Sequence, residues 1–190
     1  MQSVLDQGCW TPVESFSSSG DDSAWTVKLH DPSGKKFDVL FEGVLQGTVN
    51  WSLIGMHNVS NALASIAAAR HVGVPAEHAI AALAEFKGVK RRMQLRGEVN
   101  SISVYDDFAH HPTAISTTLK GLRDSIGKQK ILAILEPRSN TMQMGVHNAT
   151  LAESLIQADE ILLYQPSGTE ASLQLAVDEY PDKAKIFIDV

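Results

Sequence analysis

The sequence has 190 residues, 44% hydrophobic and 20% charged, which is an ordinary composition for a folded globular protein. Its formal charge of -6 disfavours binding to a nucleic-acid backbone, which needs clustered Lys and Arg. The single cysteine excludes an internal disulfide, and neither a signal peptide nor a run of about 18 apolar residues is present. We therefore expect a soluble cytoplasmic protein with no nucleic-acid or membrane partner.

Short strands open the chain, and two helices follow them. A turn-rich loop at 31–36 separates two runs of alternating hydrophobicity, which predicts a β-hairpin. An alanine-rich segment predicts a helix over 57–72, and a second helix is expected over about 76–86. The basic, extended segment that comes next suggests a domain boundary near residues 88–94.

Apolar strands and helices alternate beyond this boundary. The pattern predicts strands at 101–105, 130–135, 160–164 and 184–190, separated by helices at 113–126, 149–158 and 170–179. Such alternation is typical of a parallel sheet with helical crossovers. The expected fold class is therefore α/β.

His57 and Asn61 lie at the start of the first predicted helix. They are four positions apart, so a helix places both on one face. A carboxamide that donates and accepts hydrogen bonds matches the edge of adenine, and an imidazole can pack on the base. Helix capping is the more common use of such residues, and the pattern alone favours it.

The segment YDDFAHHP at 105–112 directly follows a predicted strand. Ligands of open α/β sheets collect beyond the carboxyl ends of the strands, so this loop is in a suitable place for a site. Its aspartates could bind ribose hydroxyls, or could join the two histidines in holding a divalent metal. It could also be only an acidic strand end before a helix that begins at a proline, and the spacing leaves all three alternatives open.

Two further polar motifs suit anionic ligands. The basic run KRR at 90–92 offers guanidinium groups that match phosphate oxygens, although such runs are usually solvated surface. The segment EPRSNTM at 136–142 follows a predicted strand and could bind an anionic substrate group, or could be an ordinary loop. The P-loop pattern is absent: its nearest approach, at 121–129, has one residue too many between the glycines and predicts a helix C-cap and loop.

The order of these motifs, GMHNVSNA, KRR, DDFAHHPT and LEPRSNTM, resembles the Mur ligase family. The resemblance runs from about residue 40 to 190. It implies a Rossmann-like C-terminal α/β domain at 93–190, preceded at 1–92 by the end of a central ATPase domain. It also implies that the P-loop and the Mg²⁺ ligands lie outside these residues, that the last domain is cut short, and that the 190 residues alone turn over no ATP.

The resemblance is strongest to the family members that add a peptide. It implies an ATP- and Mg²⁺-dependent amide ligase that joins the tripeptide L-Ala-γ-D-Glu-meso-diaminopimelate to UDP-N-acetylmuramate in peptidoglycan recycling. Alternatives are a noncatalytic adenine-nucleotide-binding module, a family member that adds a single amino acid, and a metal-dependent hydrolase.

The same resemblance implies functions for individual residues, and none of them is a metal ligand. ATP would be bound by His57, Asn61, Arg92 and Asp107. Arg92, His110 and His111 would be catalytic. The peptide substrate would contact Phe108, Arg138, Ser139, Asn140 and Thr141.

Overall fold

The computed structural model describes residues 2–19, 22–138, 140–165 and 173–188, and the side chains at 2, 140, 141, 148 and 149 lie outside this description. The chain forms two compact units. The first comprises Met1–Ser52 and Met56–Phe86, and the second comprises Leu53–Gly55 and Lys87–Val190. The assignment of family domains to 1–92 and 93–190 remains a proposal.

The first unit combines a three-stranded antiparallel sheet with two helices. After the short α1 (Gln2–Leu5), its elements are β1 (Trp25–Leu29), β2 (Lys36–Phe41), β3 (Val44–Asn50), α2 (Met56–His71) and α3 (Ala76–Glu85). The predicted hairpin and both predicted helices are confirmed. β3 was not predicted, because Gly47 and a β-bulge after Val39 interrupt its pattern.

Apolar side chains at helical spacing bury one face of α2. Val59, Leu63 and Ile66 have no exposed surface, and neither do Trp25 and Phe37 from the sheet. Full burial of one such side chain stabilises a fold by roughly 1.5–3 kcal/mol. Burial of this face therefore fixes the rotation of α2 about its axis, and with it the face on which the remaining residues lie.

The second unit contains a hairpin, a parallel sheet and the helices between the strands. In chain order these elements are β4 (Gln94–Val99), β5 (Ile102–Asp106), α4 (Pro112–Ile126), β6 (Leu132–Leu135), α5 (Asn140–Gln143), α6 (Asn148–Ser154), β7 (Glu160–Gln165), α7 (Gln174–Glu179) and β8 (Ala184–Ile188). β6, β7 and β8 form a parallel sheet in that order. The predicted α/β fold class is confirmed.

The strand predicted at 101–105 has a different partner from the one expected. We predicted it as part of the parallel sheet, but β5 pairs antiparallel with β4 in a sheet of two strands. The turn between them uses Asn100 and Ser101, both with positive φ, 49° and 64°. Such a turn matches the twist of a hairpin, so local pairing prevails.

Several predicted element ends also differ from the structure. The helix expected at 149–158 ends at Ser154, and turns cover the next four residues. Gly127, with φ 63°, caps α4, which confirms a helix end and loop within 121–129. Residues 170–172 of one predicted helix and 189–190 of the last predicted strand lie outside the described residues.

The core of the second unit lies on one face of the parallel sheet. Ile115 and Leu119 from α4 pack there with Leu151 from α6 and with Ile161 and Leu163 from β7. Along each strand, the side chains that alternate with the core residues lie on the opposite face of the sheet. Among them, Leu132, Ile134 and Phe187 are 48%, 73% and 52% exposed. Among the described helices, none is long and apolar enough to cross a membrane.

Gly121→Ala is expected to destabilise the second unit by about 1–2 kcal/mol. Gly121 is buried in α4, and an added Cβ would lie 2.9 Å from Cα of Gly55, which is backbone and cannot rotate away. The overpacking costs roughly 1–3 kcal/mol, against a gain of about 1 kcal/mol from helix propensity. Urea denaturation would measure the difference. Gly97→Ala, which meets no atom within 4 Å, is the matched control and should be close to neutral.

Candidate active-site loop

The loop after β5 is organised by the carboxylate of Asp107. Oδ1 accepts a hydrogen bond from the main-chain N–H of Ala109 at 2.7 Å, and Oδ2 accepts one from the N–H of Met93, also at 2.7 Å. Each oxygen keeps a further lone pair, so a ribose hydroxyl can still be bound. The predicted ribose-binding residue is thus also a structural link between this loop and the segment that precedes β4.

The segment at 91–93 has an unusual backbone conformation. Arg91 and Met93 have φ 58° and 45°, a region that residues other than glycine seldom occupy. Three hydrogen bonds hold it: Met93 N–H to Asp107, Phe108 N–H to the Arg91 carbonyl at 2.8 Å, and Arg91 N–H to Oε1 of Gln94 at 3.1 Å. The basic motif is therefore fixed against the loop rather than solvated independently of it.

Phe108 is the centre of a cluster of cationic and aromatic groups. The guanidinium carbons of Arg91 and Arg92 lie 5.1 and 5.9 Å from its ring centroid, and the ring of His110 contacts it edge-on at 5.0 Å. Arg91 also forms an ion pair with Asp106 at 3.6 Å. These are favourable cation–π distances, and Phe108 is still 48% exposed. The structure thus brings together three predicted site residues: Arg92, Phe108 and His110.

The two neighbouring histidines carry hydrogens on different nitrogens. Nδ1 of His110 is 2.9 Å from the Phe108 carbonyl, which can only accept, so this nitrogen donates. Nδ1 of His111 accepts from the N–H of Thr113 at 3.2 Å, so its ring hydrogen is on Nε2. His111 is also the N-cap of α4, with Pro112 in the first turn. The start of α4 therefore holds the imidazole of His111 in one orientation.

His147 is a residue of this loop region that the sequence pattern did not predict. Its ring contacts the ring of His111, with centroids 4.4 Å apart and the planes at 70°. It occupies the N-cap position of α6 without a side-chain capping bond. Its distance in sequence from the HHP motif, 36 positions, hides the contact, and only the correct packing of α6 beside α4 could have indicated it.

The motif at 136–142 is only partly described. Nε of Arg138 is 3.4 Å from Oε1 of Glu136, and the Arg138 side chain is 72% exposed. Ser139 lies outside the described residues, as do the side chains of Asn140 and Thr141, whose backbone begins α5. Arg138 therefore has an acidic neighbour, and its guanidinium remains accessible.

His57 and Asn61 lie in the first turn and second turn of α2, within the first unit. Asn61 is exposed and His57 is half-buried. Their spacing places them on one face, as predicted. Their proposed contact with adenine remains a prediction.

An open hollow of about 540 Å³ lies at the opposite end of the parallel strands. It is lined by residues from the end of α4 and from the turns before β7 and β8. Two of its three cations, Arg123 and Lys183, already bond main-chain carbonyls there. We therefore take the loop after β5, and not this hollow, as the candidate site. In the described ranges no group of three or more His, Cys, Asp or Glu could hold a metal.

The chain is similar to known ligases over most of its length. It is 47% identical over 168 residues to the UDP-N-acetylmuramate--L-alanyl-gamma-D-glutamyl-meso-2,6-diaminoheptandioate ligase of Escherichia coli K12, covering 88% of this chain and 36% of that protein. It therefore spans about a third of that relative's length.

Two solved ligase structures are also similar to this chain over most of its length. The murein peptide ligase of Psychrobacter arcticus matches with a TM-score of 0.67 and 43% identity, over 99% of this chain and 41% of that one. The UDP-N-acetylmuramate-alanine ligase of Thermotoga maritima matches with a TM-score of 0.74 and 25% identity, over 93% and 39%. The family model "Mur ligase, glutamate ligase domain" matches residues 91–189. The chain belongs to the Mur ligase family.

Proposed function

We propose that this chain supplies the amine-binding part of an ATP-dependent ligase that joins L-Ala-γ-D-Glu-meso-diaminopimelate to UDP-N-acetylmuramate. The observation that carries the proposal is the loop after β5, where Arg91, Arg92, Phe108, His110 and His111 lie close together. The name of the E. coli relative contains both substrates. Because the chain spans about a third of that relative, the whole reaction is assigned to a ligase that contains this sequence.

Identity favours a peptide as the incoming amine over a single amino acid. The chain is 43% identical to the murein peptide ligase of known structure but 25% identical to the alanine ligase, at similar coverage. A noncatalytic nucleotide-binding module would not need the cluster around Phe108. We therefore assign the tripeptide, and not alanine, to the exposed Arg138 and Phe108.

The proposed reaction has two steps. The carboxylate of UDP-N-acetylmuramate attacks the γ-phosphorus of ATP and ADP leaves, which gives an acyl phosphate. The tripeptide amine then attacks the acyl carbon, loses a proton, and phosphate leaves. Negative charge at the phosphate is stabilised by a guanidinium such as Arg92, and the Nε2–H of His111 can donate to an oxygen of the reacting group.

Among the described residues no group of three or more His, Cys, Asp or Glu is placed to hold a metal ion. We therefore assign no step of this chain to the metal. In the first unit we propose adenine contacts for His57 and for Asn61, whose exposed carboxamide can both donate and accept. In the second unit we propose that the remaining lone pairs of Asp107 accept from ribose hydroxyls. A cytoplasmic location is also proposed, and like the substrates it rests on the similarity to the E. coli ligase.

A chimaeric ligase tests the proposed function. This chain would replace the matching third of the E. coli relative, and phosphate release would be measured with UDP-N-acetylmuramate, ATP and either the tripeptide or L-alanine. We expect turnover when the tripeptide is the amine substrate and none when it is L-alanine. Turnover with L-alanine alone would reject the assigned substrate, and nucleotide binding by a folded chimaera without either reaction would favour the noncatalytic module.

Arg138→Ala in this chimaera is expected to lower kcat/KM for the tripeptide about ten- to hundredfold, with the KM for ATP unchanged. A guanidinium that pairs with a substrate carboxylate in a partly desolvated site contributes roughly 1.5–3 kcal/mol. Arg138→Lys should recover part of the loss, because lysine keeps the charge without the bidentate geometry. Steady-state kinetics with tripeptide and ATP varied separately would measure both.

Glu136→Gln separates substrate binding from support of the loop. If Arg138 only pairs with Glu136, removing that charge should reproduce the Arg138→Ala effect. If Arg138 binds the substrate, Glu136→Gln should leave kcat/KM nearly unchanged. An equal loss in both variants would remove Arg138 from the substrate site.

A further inference from the structure

The N-terminus of α4 and the N-terminus of α6 meet through two histidine rings. His111 begins α4 and His147 begins α6, and their centroids are 4.4 Å apart in an edge-to-face arrangement. The two helices contact each other, and residues of both lie in the core of the second unit. The contact is thus built on two helices rather than on one loop.

The two histidines hold their helices in different ways, one through its side chain and the other through its main chain. His111 uses its side chain to cap α4, through Nδ1. His147 uses its main chain: its carbonyl accepts from the N–H groups of Thr150 and Leu151 at 3.0 and 2.9 Å, and its side chain makes no capping bond. The backbone of α6 therefore holds His147 in place and leaves its imidazole to pack against His111.

We propose that His147 is a positioning residue, which holds the His111 imidazole in the orientation that caps α4 and keeps the ring hydrogen of His111 on Nε2. His111 is otherwise exposed, and an exposed imidazole can rotate about χ1 and χ2 and exchange its tautomers. The ring of His147 packs edge-to-face against the His111 ring at 4.4 Å, and this contact restricts that rotation. The orientation of His111 is independent of the proposed function. Only the use of its Nε2–H as a donor to the reacting group rests on that function.

Nitrogen-15 NMR of the imidazoles in the 190-residue chain, recorded at a mildly alkaline pH, tests the proposal. We expect Nδ1 of His111 to show the shift of an unprotonated nitrogen and Nε2 that of a protonated one. In His147→Ala, both shifts should move toward the average of exchanging tautomers. Exchange of the Thr113 amide with water should rise about fivefold, since a lost N-cap bond has this typical effect.

His147→Phe is the matched variant, because phenylalanine keeps an aromatic ring but has no ring nitrogen. It should restore both the Thr113 exchange rate and the His111 shifts. Exchange at the Leu151 amide should stay constant in both variants, since its acceptor is the main-chain carbonyl of residue 147. His78→Ala, at an exposed position of α3, should change none of these signals.

The proposal would be overturned by unchanged His111 shifts in His147→Ala, or by a failure of His147→Phe to restore them. Loss of Leu151 protection together with Thr113 protection would also reject it, because His147 would then be stabilising α6 and not orienting His111. None of these measurements uses ligation. A negative ligase assay with positive NMR results would therefore reject the proposed function alone.

Discussion

Arg123→Ala is expected to destabilise the second unit by about 2–4 kcal/mol, the largest single-residue effect on stability that we predict. The guanidinium lies at the end of α4 with its side chain 21% exposed. It donates to the carbonyls of Gly127 at 2.8 Å, Gln129 at 2.5 Å and Gln157 at 2.9 Å, and to the carboxylate of Asp159. One side chain thus joins the end of α4 to the turn before β7.

The magnitude follows from the number of bonds and from their partial exposure. A hydrogen bond from a charged donor contributes roughly 1.5–3 kcal/mol, but water replaces part of this where the acceptors can be rehydrated, so four such bonds do not add. Lys120→Ala is the matched control on the same helix. Its exposed pair with Asp124, four residues on, should contribute at most about 0.5 kcal/mol.

The two units can be followed separately in such a measurement. All three tryptophans, Trp10, Trp25 and Trp51, lie in the first unit, so their fluorescence reports on that unit during urea denaturation. Hydrogen exchange at the buried Ile161 and Leu163 amides of β7 reports on the second. Arg123→Ala should change the second signal and leave the first unaltered. An equal effect of Lys120→Ala would contradict the prediction.

The same cluster gives a pH dependence. The pKa of Asp159 lies below its ordinary value of 3.8, first because the N–H of Ile131 donates to the carboxylate at 2.7 Å and second because Arg123 pairs with it. Folding favours the ionised form, so this stabilisation is complete above the unfolded-state pKa and is lost as the pH falls through the lower folded-state pKa. The stability difference between the wild type and Asp159→Asn should therefore shrink below a pH of about 3.8.

The sequence predicted helices best where burial and local signals agree. In α2, an apolar stripe, high helix propensity and a glycine stop all indicate the same element, and the structure confirms it. α6 ends four residues before the predicted end, because Leu155 and Ala158 are buried in turns and so continue the hydrophobic pattern without helical hydrogen bonds. Periodicity reports burial, and burial does not require a helix.

The partner of β5 could not be predicted in the same way. A strand of five residues looks alike whether its neighbour is parallel or antiparallel, and the hairpin signal depends on the turn. Asn100 is a good residue for positive φ, but Ser101 is a poor one, so the sequence gives only half of the expected turn signal. The hairpin from Gln94 to Asp106 has a turn of only two residues, and this short connection favours it over a long-range pairing.

In the candidate site too, residues within one sequence motif could be predicted, whereas a residue distant in sequence could not. The motif at 105–112 is contiguous, so the sequence alone marks this loop as a candidate site. Its contacts with the basic motif at 90–92 join segments that lie on either side of one hairpin. His147 is separated from His111 by a strand and two helices, and no feature of its own sequence marks it. Residues of this kind become visible only when the packing of the helices is known.

Asp107→Ala is expected to destabilise the second unit by about 2–3 kcal/mol even without a nucleotide. The carboxylate holds two main-chain N–H groups at 2.7 Å, and its loss would leave both without an acceptor. One of them belongs to Met93, whose positive φ, like that of Arg91, costs free energy that surrounding contacts must offset. We therefore expect the segment at 91–93 to relax, and Arg92 to leave its position beside Phe108.

Two variants separate this structural role from ribose binding. Asp106→Ala, the neighbouring aspartate, removes only the exposed 3.6 Å ion pair with Arg91 and should cost at most about 1 kcal/mol. Asp107→Asn should be intermediate, because one carboxamide oxygen can still accept while the amino group cannot. Urea denaturation with hydrogen exchange at the Met93 and Ala109 amides would measure the order. If Asp107→Ala leaves stability and both amides unchanged and weakens only nucleotide binding, the carboxylate serves the ribose alone and does not link the two segments.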